Sequence, residues 1–220
     1  MNTQQAILKS KTKSSANLCE LFASIQGETS YAGKPAVFVR FSGCNLDCSW
    51  CDTSYALKEG KETDLLNLAE EILNYNIPLV VITGGEPLLQ EGSIEIARML
   101  IEKGKEVLVE TNGSVDIGQI PSGARVIMDY KTPSSGQSER MLEENLNKLS
   151  EKDQIKFVIA DRQDFNWAVN ILEKYSPPAG EVLFSHVEGE TDFVELSGWV
   201  IKRYPSGRVQ ANLHKVFGLK

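Results

Sequence analysis

Three cysteines fall within eight residues, Cys44, Cys48 and Cys51, in the run Gly43-Cys44-Asn45-Leu46-Asp47-Cys48-Ser49-Trp50-Cys51-Asp52-Thr53. This CxxxCxxC spacing offers three thiolates, enough for three irons of a 4Fe-4S cube, whereas an electron-transfer cluster or a structural zinc site ordinarily takes four protein ligands. One iron would stay open to an outside ligand. Two plainer readings stand beside this one, a closed zinc site and three unrelated buried thiols. Closed zinc sites usually pair their cysteines in two separated halves. Buried thiols suit an apolar segment, but Asn45, Asp47 and Ser49 make this stretch polar and loop-like.

The spacing resembles that of the radical S-adenosylmethionine (SAM) enzymes, in which the amino and carboxylate groups of SAM chelate the open iron. Gly84-Gly85-Glu86-Pro87 then gains a second meaning. Alone it reads as a Gly-rich turn; near such a cluster, its glycines let the backbone approach a ligand closely and Glu86 can meet an amino group. Thr53 offers a hard hydroxyl oxygen fit for magnesium, or a local backbone hydrogen bond. Arg40, charged at the end of an apolar run, can grip a ligand carboxylate in a fork or pair with an internal acid. His214 is one of two histidines, and a lone histidine has a structural reading as well. Cys19 reads as a small core hydrophobe. With one cysteine to spare, the chain cannot build a second cysteine-ligated cluster.

These residues need a scaffold. Six short β-branched runs, 37–41, 79–83, 106–110, 125–129, 155–159 and 181–185, are nearly continuous in apolar residues, as strands buried on both faces are, and predict a parallel sheet. Helical stripes are predicted over 65–73, 93–103 (with Ser93 as cap and Gly104 as stop), 139–149, 164–174 and 191–202. Residues 111–124, with their glycines and Pro121, predict an irregular crossover. The cysteine loop, Gly84–Pro87, Thr111–Gly113, Tyr130–Gly136 and His186–Gly189 each follow a strand, which puts all of them at one rim, where parallel α/β folds carry their chemistry. Six strands are too few for the usual closed eight. The expectation is a partial, open (β/α)6 barrel.

At 220 residues, without a Pro/Gly/Ser-rich linker, the expectation is one domain over 1–220, with residues 1–16 a polar N-terminal extension lacking the apolar stretch of a signal peptide. No apolar run is long enough to span a membrane. Bunched cysteines suit a reducing compartment, hence a cytoplasmic protein. A net charge of −7 argues against nucleic acid as a partner, because phosphate binding needs a surplus of Lys and Arg.

Taken together, Ser24-Ile25-Gln26-Gly27-Glu28, Phe38-Val39-Arg40, Gly43-Cys44-Asn45-Leu46, Trp50-Cys51-Asp52-Thr53, Thr83-Gly84-Gly85-Glu86-Pro87-Leu88, Glu110-Thr111-Asn112-Gly113 and Leu213-His214-Lys215 closely resemble the 7-carboxy-7-deazaguanine synthases of queuosine biosynthesis. The resemblance implies a radical SAM lyase that converts 6-carboxy-5,6,7,8-tetrahydropterin to 7-carboxy-7-deazaguanine with loss of ammonia. It implies a 4Fe-4S cluster on Cys44, Cys48 and Cys51, and SAM held by Trp50, Asp52, Gly84, Gly85, Glu86, Asp129, Tyr130, Lys131, Ser185, His186, Val187 and Glu188. The pterin would be held by Ile25, Gln26, Gly27, Glu28, Arg40, Thr83, His214 and the Lys220 carboxylate, with Mg2+ on Thr53. A flavodoxin or ferredoxin electron donor and a homodimer are implied as partners.

Two positions depart from the family pattern. Thr29 stands where a glycine is usual, and Ser185-His186 stand where Gln-Pro is common. Other readings remain at this stage: a different radical SAM enzyme, such as one that abstracts a glycyl hydrogen from a protein or one using another pterin, and an iron-sulfur electron carrier, which the missing fourth ligand disfavours.

Overall fold

The computed structural model describes residues 14–58 and 60–219. Its strands are β1 (Ser15–Ile25), β2 (Pro35–Phe41), β3 (Lys61–Asp64), β4 (Leu79–Gly84), β5 (Glu106–Thr111), β6 (Arg125–Asp129), β7 (Gln154–Ile159), β8 (Glu181–His186) and β9 (Arg208–Val209). They form one sheet in the order β3-β1-β2-β4-β5-β6-β7-β8-β9. From β2 through β4, β5, β6 and β7 to β8 every pairing is parallel, so the six predicted strands are consecutive neighbours. The result is a mixed α/β fold with a mostly parallel, open sheet. β1 adds an antiparallel edge to β2, with β3 outside it. Ser15 and Ala16, expected in a loose extension, are the first residues of β1, and Ser14 O accepts from Leu65 N at 2.8 Å; residues 1–13 lie outside the described residues, as does Lys220.

Helices α1 (Leu65–Asn74), α2 (Glu91–Glu102), α3 (Arg162–Tyr175) and α4 (Phe193–Arg203) cover the outer face, and α5 (Leu213–Phe217) follows β9. Asp64, Asp161 and Asp192 cap α1, α3 and α4 by accepting from first-turn N–H groups, which satisfies donors that a helix start leaves unpaired. Ser93 is not the cap of α2. It sits inside the first turn, buried, with its hydroxyl donating to the carbonyls of Pro87 and Gln90, while Gly104 at φ +78° ends the helix as expected.

The helix expected over 139–149 is absent. Short 3-10 turns, Ser138–Arg140 and Glu143–Asn147, stand there instead. Asn145 explains why: its buried amide donates to the carbonyls of Gly113 (3.0 Å) and Val115 (2.8 Å) and accepts from Ile117 N (3.1 Å). The segment is bound to the crossover after β5 rather than to itself.

Two apolar layers flank the sheet. The larger lies between strands and helices, around residues such as Val80, Ile96, Leu100, Phe157 and Phe165. The smaller fills the lower part of the barrel interior with Phe22, Phe38, Val81, Leu108 and Ile127, closed below by Tyr31. Tyr31 hangs from the β1–β2 turn and donates its hydroxyl to Glu106 at 2.6 Å. Two residues further along their strands, Phe38, Val81, Leu108 and Ile127 give way to Arg40, Thr83, Glu110 and Asp129. By the two-residue period of a strand these face the same interior.

Candidate active site

The cysteine loop leaves β2 through Gly43, whose φ of +88° suits glycine. Backbone bonds hold it on both sides. Gly43 N donates to Ala56 O (2.8 Å), Glu86 N donates to Gly43 O (2.9 Å), and Ser49 N donates to Ser135 O (3.3 Å); Gln137 Nε2 donates to Asp47 O (3.1 Å). Cys44 and Cys48 are half-buried and Cys51 is exposed. Leu46 N (3.4 Å) and Asn112 Nδ2 (3.6 Å) both donate to Cys44 Sγ. Burial pushes the Cys44 and Cys48 thiols up, and the Lys131 ammonium draws Cys48 the other way. Among the described residues no three His, Cys, Asp or Glu side chains converge on a single metal ion.

The Gly84-Gly85 pair packs against this loop with no room for a side chain. A Cβ on Gly85 would lie 2.3 Å from Gly43 O and 2.7 Å from Cys44 Cβ, and one on Gly84, at φ +153°, would lie 2.1 Å from Phe41 O. Glu86 turns inward. Fully buried, its carboxylate accepts from Leu88 N (3.0 Å), Thr111 Oγ1 (2.9 Å) and Asn112 N (2.7 Å). It ties the turn after β4 to the end of β5, and through Asn112 to Cys44.

Between these loops and the barrel interior lies a cavity of about 500 Å³. Its wall carries alternating charge: Lys156 Nζ is 2.7 Å from Glu28 Oε2 and 3.0 Å from Asp129 Oδ2, and Lys131 Nζ is 3.1 Å from Asp129 Oδ1. Burial opposes ionisation of Asp129, but Lys131 and Lys156 outweigh it and hold the carboxyl below its usual range. Gln26 Nε2 donates to Glu110 Oε1 at 3.1 Å. Burial, with Glu28 adding to it, raises the Glu110 carboxyl against the opposing pull of Lys156. Arg40 pairs through Nε with Glu20 at 2.8 Å, and Tyr55 donates to the same oxygen at 2.8 Å. The internal acid is thus present, and Arg40 still lines the cavity. The far end is closed by the C-terminal segment: Leu213 N donates to Gly27 O at 2.9 Å, and a Cβ on Gly27 would touch His214 Nδ1 at 2.8 Å.

Three buried polar atoms on lining residues have no partner: Trp50 Nε1, His186 Nδ1 and Asn212 Oδ1. Asp129 Oδ1 is taken by the Lys131 ammonium at 3.1 Å. Buried orphans of this kind cost free energy that a bound ligand recovers.

Residues 38–175 match the model of the radical SAM superfamily. The 7-carboxy-7-deazaguanine synthase of Methanospirillum hungatei JF-1 is 37% identical over 210 residues, covering 94% of this chain and 87% of its own. That of Chlorobaculum tepidum is 35% identical, covering 93% and 94%. The chain belongs to the 7-carboxy-7-deazaguanine synthases. A crystal structure of QueE from Escherichia coli has the same fold, with a TM-score of 0.76, 19% identity and coverage of 91% of this chain and 95% of that one. Membership in the radical SAM superfamily implies a 4Fe-4S cluster and SAM. The loop fits the cluster by its three spaced thiols and its two donors to Cys44 Sγ, and the orphaned atoms fit a polar ligand beside it.

For this synthase the cavity gathers most of the residues expected from sequence. Ile25, Gln26, Gly27, Glu28, Arg40, Thr83 and His214 line it, as do the three cysteines, Trp50, Asp52, Thr53, Gly84, Gly85, Asp129, Lys131, His186, Val187 and Glu188. Among the described residues, three expected ones do not. Glu86 is consumed by the bonds described above. Tyr130 is buried among the helix-facing side chains, stacked on Trp167 at 6.0 Å, because the strand's alternation turns it away from its neighbours Asp129 and Lys131. Ser185 is buried and accepts from Gln210 Nε2 at 2.7 Å. Sequence reading missed Lys156, Glu110, Asn112 and Asn212 as lining residues. Glu110 and Asn112 share one signal, a polar residue at an inward position at the end of β5, whereas Lys156 is an inward charge in the middle of β7. Among the described residues no helix is long and apolar enough to cross a membrane.

Proposed function

We propose that this chain converts 6-carboxy-5,6,7,8-tetrahydropterin to 7-carboxy-7-deazaguanine with loss of ammonia. The cluster and SAM, when bound, supply a 5′-deoxyadenosyl radical able to take the hydrogen at C6 of the pterin. Cys44, Cys48 and Cys51 hold the cluster, and Asn112 and Leu46 stabilise the Cys44 thiolate by donating to its sulfur. Gly84 and Gly85 keep the neighbouring backbone close to the cysteine loop. Trp50, Asp52, Asp129, Lys131 and His186 to Glu188 would hold SAM, with the orphaned Trp50 and His186 nitrogens available to its polar groups.

At the other end, Gln26 to Glu28, Thr83 and His214 meet the pterin edge. Arg40 keeps N–H groups beyond the one given to Glu20 and orients the carboxylate. Thr53 lines the same cavity, and its hydroxyl would be one hard oxygen ligand for a Mg2+ whose charge would help to orient the substrate carboxylate. A flavodoxin or ferredoxin as donor, a homodimer and a cytoplasmic location rest on the family resemblance and on the bunched cysteines.

The observation that carries this reading is that one cavity runs from the cysteine loop to the Gln26–Glu28 turn. The test is made without oxygen: reconstitute the cluster, add SAM, reductant, magnesium and 6-carboxytetrahydropterin, and look for 7-carboxy-7-deazaguanine by mass spectrometry. Product with SAM conserved supports the reading; deoxyadenosine without that product discards the substrate.

A further inference from the structure

The cavity wall holds a cation with two claims on it. Lys156 rises from β7 into the interior, and its side chain is only 14% exposed. Its ammonium is shared between Glu28, on the turn after β1, and Asp129, at the end of β6, whose side chains are 16% and 19% exposed. Gln210 Nε2 adds a longer contact, 3.4 Å, to the same Glu28 oxygen. Both donors fall on Oε2, while Oε1 is left for other partners. Burial works against the charge on Lys156, but Asp129 and Glu28 together hold its pKa well above the usual lysine value. A lysine this enclosed is stable only when paired, and without it two carboxylates would face each other across a poorly hydrated wall.

We propose that Lys156 is a positioning residue of this site, fixing the Glu28 carboxylate by one oxygen so that the other is presented to the N–H groups of a pterin-like ring. Lys156 lines the cavity wall and acts through Glu28. The inference rests on the substrate reading above. Its other partner, Asp129, keeps Lys131 as a counter-ion when Lys156 is removed, so the loss falls mainly on the Glu28 side.

The experiment is a double-mutant cycle read as binding. Anaerobic, cluster-loaded enzyme with SAM and no reductant is titrated with 6-carboxypterin, the oxidised and fluorescent relative of the proposed substrate. Iron content and melting temperature are recorded for each variant. Lys156→Met should weaken 6-carboxypterin binding about 10- to 100-fold, the scale on which residues that orient a ligating group act. In a Glu28→Gln background, where no unpaired carboxylate remains on that side, the same substitution should cost less than about threefold. Equal losses in the two backgrounds, or wild-type affinity in Lys156→Met, would overturn the inference while leaving the substrate reading intact. If Lys156→Met alone does not fold, recovery of folding in the double variant supports the pairing, and failure of both overturns it as a role confined to positioning. A wild-type enzyme that does not bind 6-carboxypterin removes the substrate reading and this inference together.

Discussion

Replacing Gly85 by alanine adds one methyl group at the seam between the turn after β4 and the cysteine loop. That methyl would sit 2.3 Å from Gly43 O, 2.6 Å from Gly43 C and 2.7 Å from Cys44 Cβ. Two of these are backbone atoms, so no side-chain rotation relieves the overlap; the loop must withdraw by about 1 Å to reach ordinary contact. The same Gly43 oxygen accepts from Glu86 N at 2.9 Å, so withdrawal also stretches that bond. Overpacking of this kind costs about 1–3 kcal/mol and the hydrogen bond about 1 kcal/mol. A total of about 2–4 kcal/mol in a chain this size lowers the melting temperature by about 5–15 °C. Because the displaced segment carries Cys44, the loss should appear in iron binding even well below the melting point. The assay is thermal unfolding of the apo-protein by circular dichroism, with iron per chain and SAM affinity measured after anaerobic reconstitution. A Gly85→Ala protein that melts within 2 °C of the parent, by the same scaling, and holds iron and SAM equally well would refute this account of the seam.

Three further outcomes follow from the site. Glu110 holds its proton in the folded state above the ordinary carboxylate range, so stability should fall as pH rises from that range through the raised pKa; Glu110→Gln should flatten this slope in urea unfolding across pH, and identical slopes would dismiss the assignment. Asn112→Ala removes one of two donors to Cys44 Sγ and should make the cluster's midpoint potential more negative, as lost hydrogen bonds to cluster sulfurs do; a potentiometric titration followed by electron paramagnetic resonance that finds no shift would count against it. Thr53→Ala should blunt the dependence of turnover on magnesium while SAM affinity stays near the parent's, and an undiminished magnesium response would take Thr53 out of the metal site.

The six parallel strands were legible because each is an apolar run closed by a polar motif, and the family's motifs brought most lining residues with them. What escaped has physical reasons. β1 is long and mixed in pattern, with Glu20 facing Arg40 across the pair, so it resembles neither a buried strand nor a clean amphipathic one. The stretch 139–149 has helical spacing, but Asn145 spends its amide on another segment, a tertiary choice that local propensity cannot reveal. Glu86 looked like a ligand because of its place in Gly84–Pro87; only three-dimensional bonding shows its carboxylate already filled. Tyr130 and Ser185 were grouped with sequence neighbours although strand alternation separates adjacent side chains. Lys156 was hidden in the opposite way, its partners 128 and 27 residues away in sequence.

The clasp between Gly27 and residues 213–214 carries a consequence for the order in which the protein is born. The cysteine loop finds its supports at Ala56, Glu86, Asn112, Ser135 and Gln137, all present once the first two-thirds of the chain has left the ribosome. The opposite end of the cavity waits for Gln210, which binds Thr29 N and Ser185, and for Leu213 and His214. At ordinary rates of synthesis that interval lasts about 4–15 s. During it, the cysteine loop already has its supports while the far end of the cavity is still open. That end closes when α5 arrives.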